Sequence, residues 1–312
     1  MKKIIVTGAT SFIGANLINA LINENYFIYA VTRPNSSQIA KLRGHKSLKI
    51  VELEMKEYSK LDQIINDNCD FFCSLAWDGT RGGSRNNLQQ QRDNYIHSKD
   101  ALEAAFRLNC KKVITAGSQA EYGVYKGKIS EKTICNPNTE YGKWKLQFYE
   151  DAYKSCRARE ISFIEPRFFS VYGPGDYENS LIMSTIKKMM NGIACDLTEC
   201  TWKWNYLYID DAVEGLLSLI KHNCADGAYN LASNDTRPLK EFVLEMKSVL
   251  NSSSELKFGS LPIAASSVVN LEPDVERIFS ETGWVEKLSF TEGIRKISKE
   301  LCVAVLEDAI KV

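Results

Sequence analysis

The sequence has no excess of charge of either sign: lysine plus arginine and aspartate plus glutamate number 39 each. No net field therefore draws the chain to nucleic acid or to an anionic membrane, and only a local basic patch is left open. Histidine is scarce, with His45, His97 and His222 scattered through polar stretches. Nine cysteines are present, yet none form a Cys-x-x-Cys pair. An odd count without paired spacing argues against a disulfide framework or a zinc site and for reduced thiols in a cytosolic protein. No metal role is assigned, and Cys69 and Cys73 are read as small core residues. No stretch approaches ~18 uninterrupted apolar residues, and Lys2-Lys3 lead straight into a strand pattern rather than a signal peptide. The expectation is a soluble, cytoplasmic protein that touches neither nucleic acid nor membrane. Its 312 residues suffice for one large or two smaller domains.

What the first half does contain is alternation. The runs "KIIVTG", "FIYAVTR", "LKIVELEM", "CDFFCSLA" and "KKVITAGS" read as strands, separated by helical patterns such as "ANLINALINEN", "LDQIIND" and "DNYIHSKDALEAAFRLN". Alternation of this kind calls for a parallel sheet, because each strand returns to the sheet only through a crossover helix. Residues 1–170 are thus read as a Rossmann-like, doubly wound α/β domain. Residues 171–312 are less regular and are read as a smaller, mostly C-terminal α/β substrate lobe, with chain segments free to cross between the two. Ligands of such sheets bind beyond the carboxyl ends of the strands.

The stretch "TGATSFIG" at 7–14 sits where the first strand hands over to a helix. A turn of this type offers backbone N–H groups and a helix dipole to a pyrophosphate, with glycine where the backbone must come close. Ser11 stands where a middle glycine is expected; it keeps the N–H and adds a hydroxyl able to donate. About 20 residues further on, where a carboxylate would read the ribose of NAD, the strand ends in Thr32 and Arg33. Arginine suits a 2′-phosphate, and Ser36 and Ser37 add hydroxyls. NADP(H) is therefore favoured, with NAD(H) possible.

Ser118 ends the fifth strand, and Tyr141 and Lys145 follow four residues apart on a helix expected over 139–156. That spacing puts both side chains on one face. An ammonium ~4 Å from a phenol, at an effective dielectric of ~20, favours the phenolate by ~4 kcal/mol, equivalent to ~3 pKa units. The expectation is a tyrosine made acidic enough to exchange protons near neutral pH, with Ser118 hydrogen-bonding the same substrate oxygen.

At this point the chain resembles the extended short-chain dehydrogenase/reductases, the nucleotide-sugar epimerase, dehydratase and reductase family. The motifs that carry the resemblance span nearly the whole length: "TGATSFIG", "LAW" at 75–77, "GSQAEYG", "YGKWK", "PRFFSVYGPGD", "YIDDAVEGL" and "FSETGW". "VYGPGDYENSLI" and "FGS" are further similar to the branch that makes CDP-abequose and related 6-deoxyhexoses by 4-keto reduction. The resemblance implies that Gly8, Thr10, Ser11, Phe12, Ile13 and Gly14 line the cofactor pyrophosphate, and that Glu54 and Met55 meet adenine. It implies that Leu75 and Ala76 pack beside the cofactor, that Asn94 props the active-site backbone, and that Phe168 and Phe169 approach the nicotinamide. Tyr141 is the implied general acid/base, Lys145 the residue that binds the nicotinamide ribose and tunes it, and Ser118 the holder of the substrate C4 oxygen. Gln119, Ala120 and Ser170 fall on the substrate side, Ser170 where most relatives carry asparagine. A homodimer through helices near 88–108 and 139–156 is also implied.

Two departures stand out. Where relatives place an arginine that grips the sugar-nucleotide pyrophosphate, this chain has Trp204, leaving Lys203 as a candidate point charge. In the unusual loop "WDGTRGGSRNN", Arg81 and Arg85 are expected to face water rather than an anionic substrate. Asp210 and Asp211 are read as helix caps rather than a metal pair. The resulting expectation is NADP(H)-dependent hydride transfer at C4 of a nucleotide-diphosphate hexose, as reduction of a 4-keto-6-deoxy sugar. A 4-epimerase and a non-catalytic dinucleotide sensor are the alternatives.

Overall fold

The structure, a computed structural model, describes residues 1–42, 45–262 and 270–310. Its main sheet is built from β1 (Lys3–Thr7), β2 (Phe27–Thr32), β3 (Leu48–Glu52), β4 (Phe71–Ser74), β5 (Lys112–Thr115), β6 (Gly117–Ser118) and β7 (Ser162–Phe168). An edge strand from far along the chain completes it. The remaining strands are β8 (Ser170–Tyr172), β9 (Cys195–Asp196), β10 (Lys203–Tyr208), β11 (Gly227–Leu231), β12 (Thr236–Pro238) and β13 (Leu256–Lys257). The sheet runs β3-β2-β1-β4-β5-β7-β11, with β6 continuing against β7, and every pairing in it is parallel. The order reverses direction between β1 and β4, which opens a crevice at their carboxyl ends.

The helices are α1 (Phe12–Asn23), α2 (Ile39–Leu42), α3 (Leu61–Ile65), α4 (Leu88–Arg107) and α5 (Glu140–Arg157), then α6 (Leu181–Met190), α7 (Ile209–Lys221), α8 (Leu239–Val249), α9 (Glu276–Thr282) and α10 (Phe290–Ile310). They cover both faces of the sheet, so its strands are apolar on both sides. In β1, Ile4 and Val6 point into the core that holds Leu17, Ile18 and Leu21 of α1. Ile5, one residue out of phase, joins the opposite core with Ala101, Leu102 and Ala105 of α4 and Phe148, Ala152 and Cys156 of α5. The period of two in the strand and of three to four in the helices sorts these residues between the layers. None of the described helices is long and apolar enough to cross a membrane.

Over the sheet's carboxyl ends lie a three-stranded sheet, β12-β10-β8, and the pair β13-β9. Their core is aromatic: Tyr206 lies against Phe242 and Phe290 with centroids 5.1 and 5.6 Å away. Two segments beyond residue 170 cross back to the main sheet. β11 pairs with β7 from Gly227↔Ile164 to Leu231↔Phe168, and Leu216, Leu219 and Ile220 of α7 join the same core as α1. Helix starts fall earlier than the apolar pattern indicates. Ser11 accepts from the Gly14 N–H and so starts α1 at Phe12, while the Asn87 carboxamide accepts from Gln90 and draws "LQQQ" into α4.

Candidate active site

The turn after β1 is shaped by two contacts. Gly8 has φ +66°, and a Cβ there would come within 2.9 Å of the Ala76 nitrogen, so only glycine lets this turn lie against the end of β4. The Ser11 hydroxyl accepts from the Gly14 N–H at 3.1 Å, which occupies one of its two lone pairs and leaves its own proton to donate. Phe12 and Ile13, at the first turn of α1, line a cavity of about 730 Å³ over the strand ends. The Thr10 hydroxyl lies 3.0 Å from that of Thr32 and accepts from Ser36 at 3.3 Å. Beside this hydroxyl cluster Arg33 is largely exposed, with Nη1 3.9 Å from an Asp78 oxygen. Glu54 is exposed and paired with Lys56 at 2.7 Å, and Met55 is buried in the core with Tyr58 and Leu61. Neither lines the cavity.

The catalytic candidates converge because α5 docks on the turn that follows β6. Thr139 caps α5 by accepting from Gly142 at 3.1 Å, and a Cβ at Gly142 would overlap the Ala120 carbonyl oxygen. Only glycine allows that approach, which sets Tyr141 beside Ser118 on one wall of the cavity. Ser118, Tyr141 and Lys145 all line the cavity, with Leu75, Gln119, Ala120, Phe168, Phe169 and Ser170. The Gln119 Oε1 and the Trp204 Nε1 are buried on this wall without a partner among the described residues. Asn94 lies beneath it and fixes the Asp78 backbone from both sides, accepting from its N–H at 3.0 Å and donating to its carbonyl at 2.8 Å.

The electrostatics differ from the expectation. Burial pushes the Tyr141 phenol above its usual 10, with the neighbouring Ser118 hydroxyl and the Arg85 guanidinium acting in the opposite direction. Lys145 is not among the largest influences on it. Its ammonium donates to the Ala116 carbonyl at 2.6 Å and lies 4.0 Å from the centre of the Trp77 indole. Burial pulls Lys145 down to about 8, so it loses its charge before the phenol ionises. The acidifying Lys–Tyr pair expected from spacing alone is thus corrected: desolvation outweighs the through-space attraction that a dielectric of ~20 supplies.

Behind Ser118 and Lys145 lies a buried trio that the sequence motifs did not flag. Arg167 donates to Glu121 at 2.8 Å and to Glu165 at 3.1 Å, with all three side chains almost fully enclosed. Burial opposes the charge on Arg167, but the two carboxylates outweigh it and hold the guanidinium protonated. Glu165 is pushed well up, first by burial and then by the neighbouring Glu121. Glu121 also accepts from the Ser118 N–H at 2.7 Å, closing a capping box with the Ser118 hydroxyl on the Ala120 N–H. The Ser-x-x-Glu spacing of "SQAE" was the available signal.

Other expectations fall elsewhere. Lys203 is not on the cavity wall; its ammonium pairs with Glu272 at 2.8 Å at the outer end of β10. Tyr208, not an aspartate, occupies the cap of α7. Asp211 instead accepts from the backbone N–H groups of Lys287 and Leu288, both at 3.0 Å. Arg81 and Arg85 line the cavity rather than facing only water.

This architecture is shared with solved structures. UDP-glucose 4-epimerase from Thermotoga maritima superposes with a TM-score of 0.88 at 19% identity, covering 97% of this chain and 99% of that one. dTDP-glucose 4,6-dehydratase from Bacillus anthracis, in complex with NAD, gives 0.84 at 18% identity and 96% coverage of each. Among curated proteins, CDP-abequose synthase of Salmonella muenchen is 26% identical over 95% of this chain and 97% of its own length. dTDP-4-dehydro-6-deoxyglucose reductase of Escherichia coli is 22% identical over 96% and 97%. Residues 4–232 match the NAD dependent epimerase/dehydratase family, and with Ser118, Tyr141 and Lys145 assembled at one cavity, the chain belongs to that family and is an NAD(P)-dependent enzyme of the extended short-chain dehydrogenase/reductase type.

Proposed function

We propose that the protein reduces the 4-keto group of a nucleotide-diphosphate 4-keto-6-deoxyhexose with NADPH. The observation that carries this reading is the convergence of Ser118, Tyr141 and Lys145 on one cavity, the last two one helical turn apart on α5. The names of two relatives, CDP-abequose synthase and dTDP-4-dehydro-6-deoxyglucose reductase, support the same chemistry.

The residues present fit a nicotinamide dinucleotide. The glycine turn at Gly8 and the first turn of α1 suit its pyrophosphate, and the cavity that starts at Phe12 and Ile13 runs on to Tyr141 and Lys145. When bound, NADPH supplies the hydride that the C4 carbon accepts. Ser118 and Tyr141 together hold the C4 oxygen, and the Tyr141 O–H gives it a proton, so that hydride and proton add across the C=O bond. Because burial keeps the phenol protonated, Tyr141 is charged with a transferable proton throughout the neutral range. Lys145 positions the sugar face of the cofactor, and Phe168 and Phe169 exclude water from the reacting carbon. Arg33 and Ser36, with no carboxylate at the end of β2, support the preference for NADP. Leu88 and Ile96, exposed apolar residues of α4, support the homodimer through α4 and α5.

The test is turnover of UDP-, CDP- and dTDP-4-keto-6-deoxyglucose with NADPH. Tyr141→Phe should retain cofactor binding and lose turnover by ~10²–10⁴-fold. Equal turnover by the mutant defeats the mechanism. A preparation that keeps stoichiometric nicotinamide through gel filtration, and interconverts C4 epimers without added NADPH, replaces the reductase reading with the epimerase one.

A further inference from the structure

Three cationic side chains line the cavity, and two of them are already engaged. Arg81 donates to Asp176 at 2.7 Å, and Asp176, the carboxylate on the cavity wall, is itself buried. Lys145 is held by the Ala116 carbonyl and the Trp77 ring. Arg85 has an aromatic neighbour but no polar partner among the described residues. Among the described residues no carboxylate pairs with it, and its Nε is buried without an acceptor. Its guanidinium carbon lies 5.1 Å from the centre of the Tyr141 ring, which places the charge beside the catalytic phenol.

A buried guanidinium N–H with no acceptor is costly to maintain, and a cation without a counter-ion on the wall of a ligand cavity is a site for an anion. The planar fork of arginine matches the paired oxygens of a phosphate or a carboxylate. Burial also lowers Arg85 from its usual value, and the group that acts against this is the Tyr141 phenol rather than any acid. Lys203 and Trp204 leave β10 without a free cation facing this space, since Lys203 is spent on Glu272. The loop carrying Arg85 is also anchored: Asn94 fixes Asp78, and Gln91 donates to the carbonyls of Gly79 and Ser84, both at 2.9 Å.

We infer that Arg85 binds a diphosphate oxygen of the substrate and fixes the substrate relative to Tyr141. This deepens the nucleotide-sugar reading above and rests on it for the identity of the ligand. It moves the anion anchor from the strand that carries Trp204 to the loop after β4.

The experiment compares the wild type, Arg85→Gln and Arg85→Lys, each saturated with NADPH so that the cofactor's own phosphate sites are filled. UDP, CDP, dTDP and GDP, their nucleosides, and the pair UDP-glucuronate and UDP-glucose are titrated by calorimetry, and inorganic pyrophosphate is the probe that needs no nucleotide. If the diphosphate is the anion, Arg85→Gln weakens the best diphosphate and pyrophosphate at least ~10-fold, leaves nucleoside and NADPH binding unchanged, and Arg85→Lys recovers part of the loss. If the diphosphates bind the mutant as before while a wild-type preference for UDP-glucuronate over UDP-glucose disappears, Arg85 reads a sugar carboxylate, and both the diphosphate assignment and the 6-deoxy-sugar reading are overturned. Arg85→Gln matching the wild type on every probe overturns the proposal. Should the wild type bind no nucleotide but bind pyrophosphate through Arg85, the nucleotide-sugar reading fails and the anion site stands; binding of neither overturns both.

Discussion

Replacing Lys145 with methionine should make the cofactor-free protein more stable at neutral pH while abolishing its activity. The ammonium is almost fully enclosed, and burial lowers it from 10.5 to about 8. Because the folded-state value lies below the unfolded one, the unfolded chain binds more protons between pH 8 and 10.5, and wild-type stability rises with pH across that window. Holding the charge inside the fold below pH 8 costs about 3 kcal/mol at 1.36 kcal/mol per unit. Methionine keeps the length of the stem and removes that cost, but it forfeits the donor to the Ala116 carbonyl, a loss of about 1 kcal/mol. The net gain is ~2 kcal/mol at pH 7.5, shrinking to a few tenths by roughly pH 9.5 as the wild-type lysine sheds its proton in the fold. Urea unfolding of both proteins without cofactor, at these two pH values, measures it. A mutant that is less stable at pH 7.5, or a difference that does not change with pH, would refute the reasoning.

Further consequences follow from the same geometry. Gly8→Ala forces a side chain into a left-handed backbone position and against the Ala76 nitrogen, and should cost ~2–5 kcal/mol in urea unfolding and weaken NADPH binding; a change within ~0.5 kcal/mol would contradict the close approach. Asn94→Ala removes both hydrogen bonds to the Asp78 backbone, so stability should fall by ~2 kcal/mol and the Asp78 amide should exchange faster with solvent. Arg33→Gln should lower affinity for NADPH about 10-fold or more relative to NADH, as read by fluorescence titration; an unchanged ratio removes the argument for NADP.

The parallel sheet was legible because its strands announce themselves as short apolar runs between helical patterns, and β1, β2, β4 and β5 follow those runs closely. β7 did not announce itself. "SFIEPRF" places Glu165, Pro166 and Arg167 inside a central strand, where charge and proline both argue against one. The charges are tolerated because Arg167 pairs with both Glu121 and Glu165, while burial and the neighbouring Glu121 push Glu165 toward its neutral form. The proline falls where β7 faces the gap between β5 and β6, so no ladder bond is lost on that side. Ser118, Tyr141 and Lys145 were legible because spacing along one strand end and one helix face fixes their proximity. The direction of the tyrosine shift was not, since it depends on how much water the assembled cavity excludes, and no local pattern encodes that. Arg85 and Lys203 show the same limit from opposite sides. One lines the cavity half-buried with no carboxylate partner among the described residues and the other is paired outside it, and each outcome is decided by elements distant in the chain.

The most direct test of the central claim is a crystal structure of the protein with NADPH bound. The pyrophosphate should lie on the N–H groups around Gly8 and the first turn of α1, with the nicotinamide ring on the cavity wall beside Tyr141 and the Lys145 ammonium turned to its ribose. A nicotinamide lodged away from Tyr141 and Ser118, with those two hydroxyls facing no part of the ligand cavity, would contradict it.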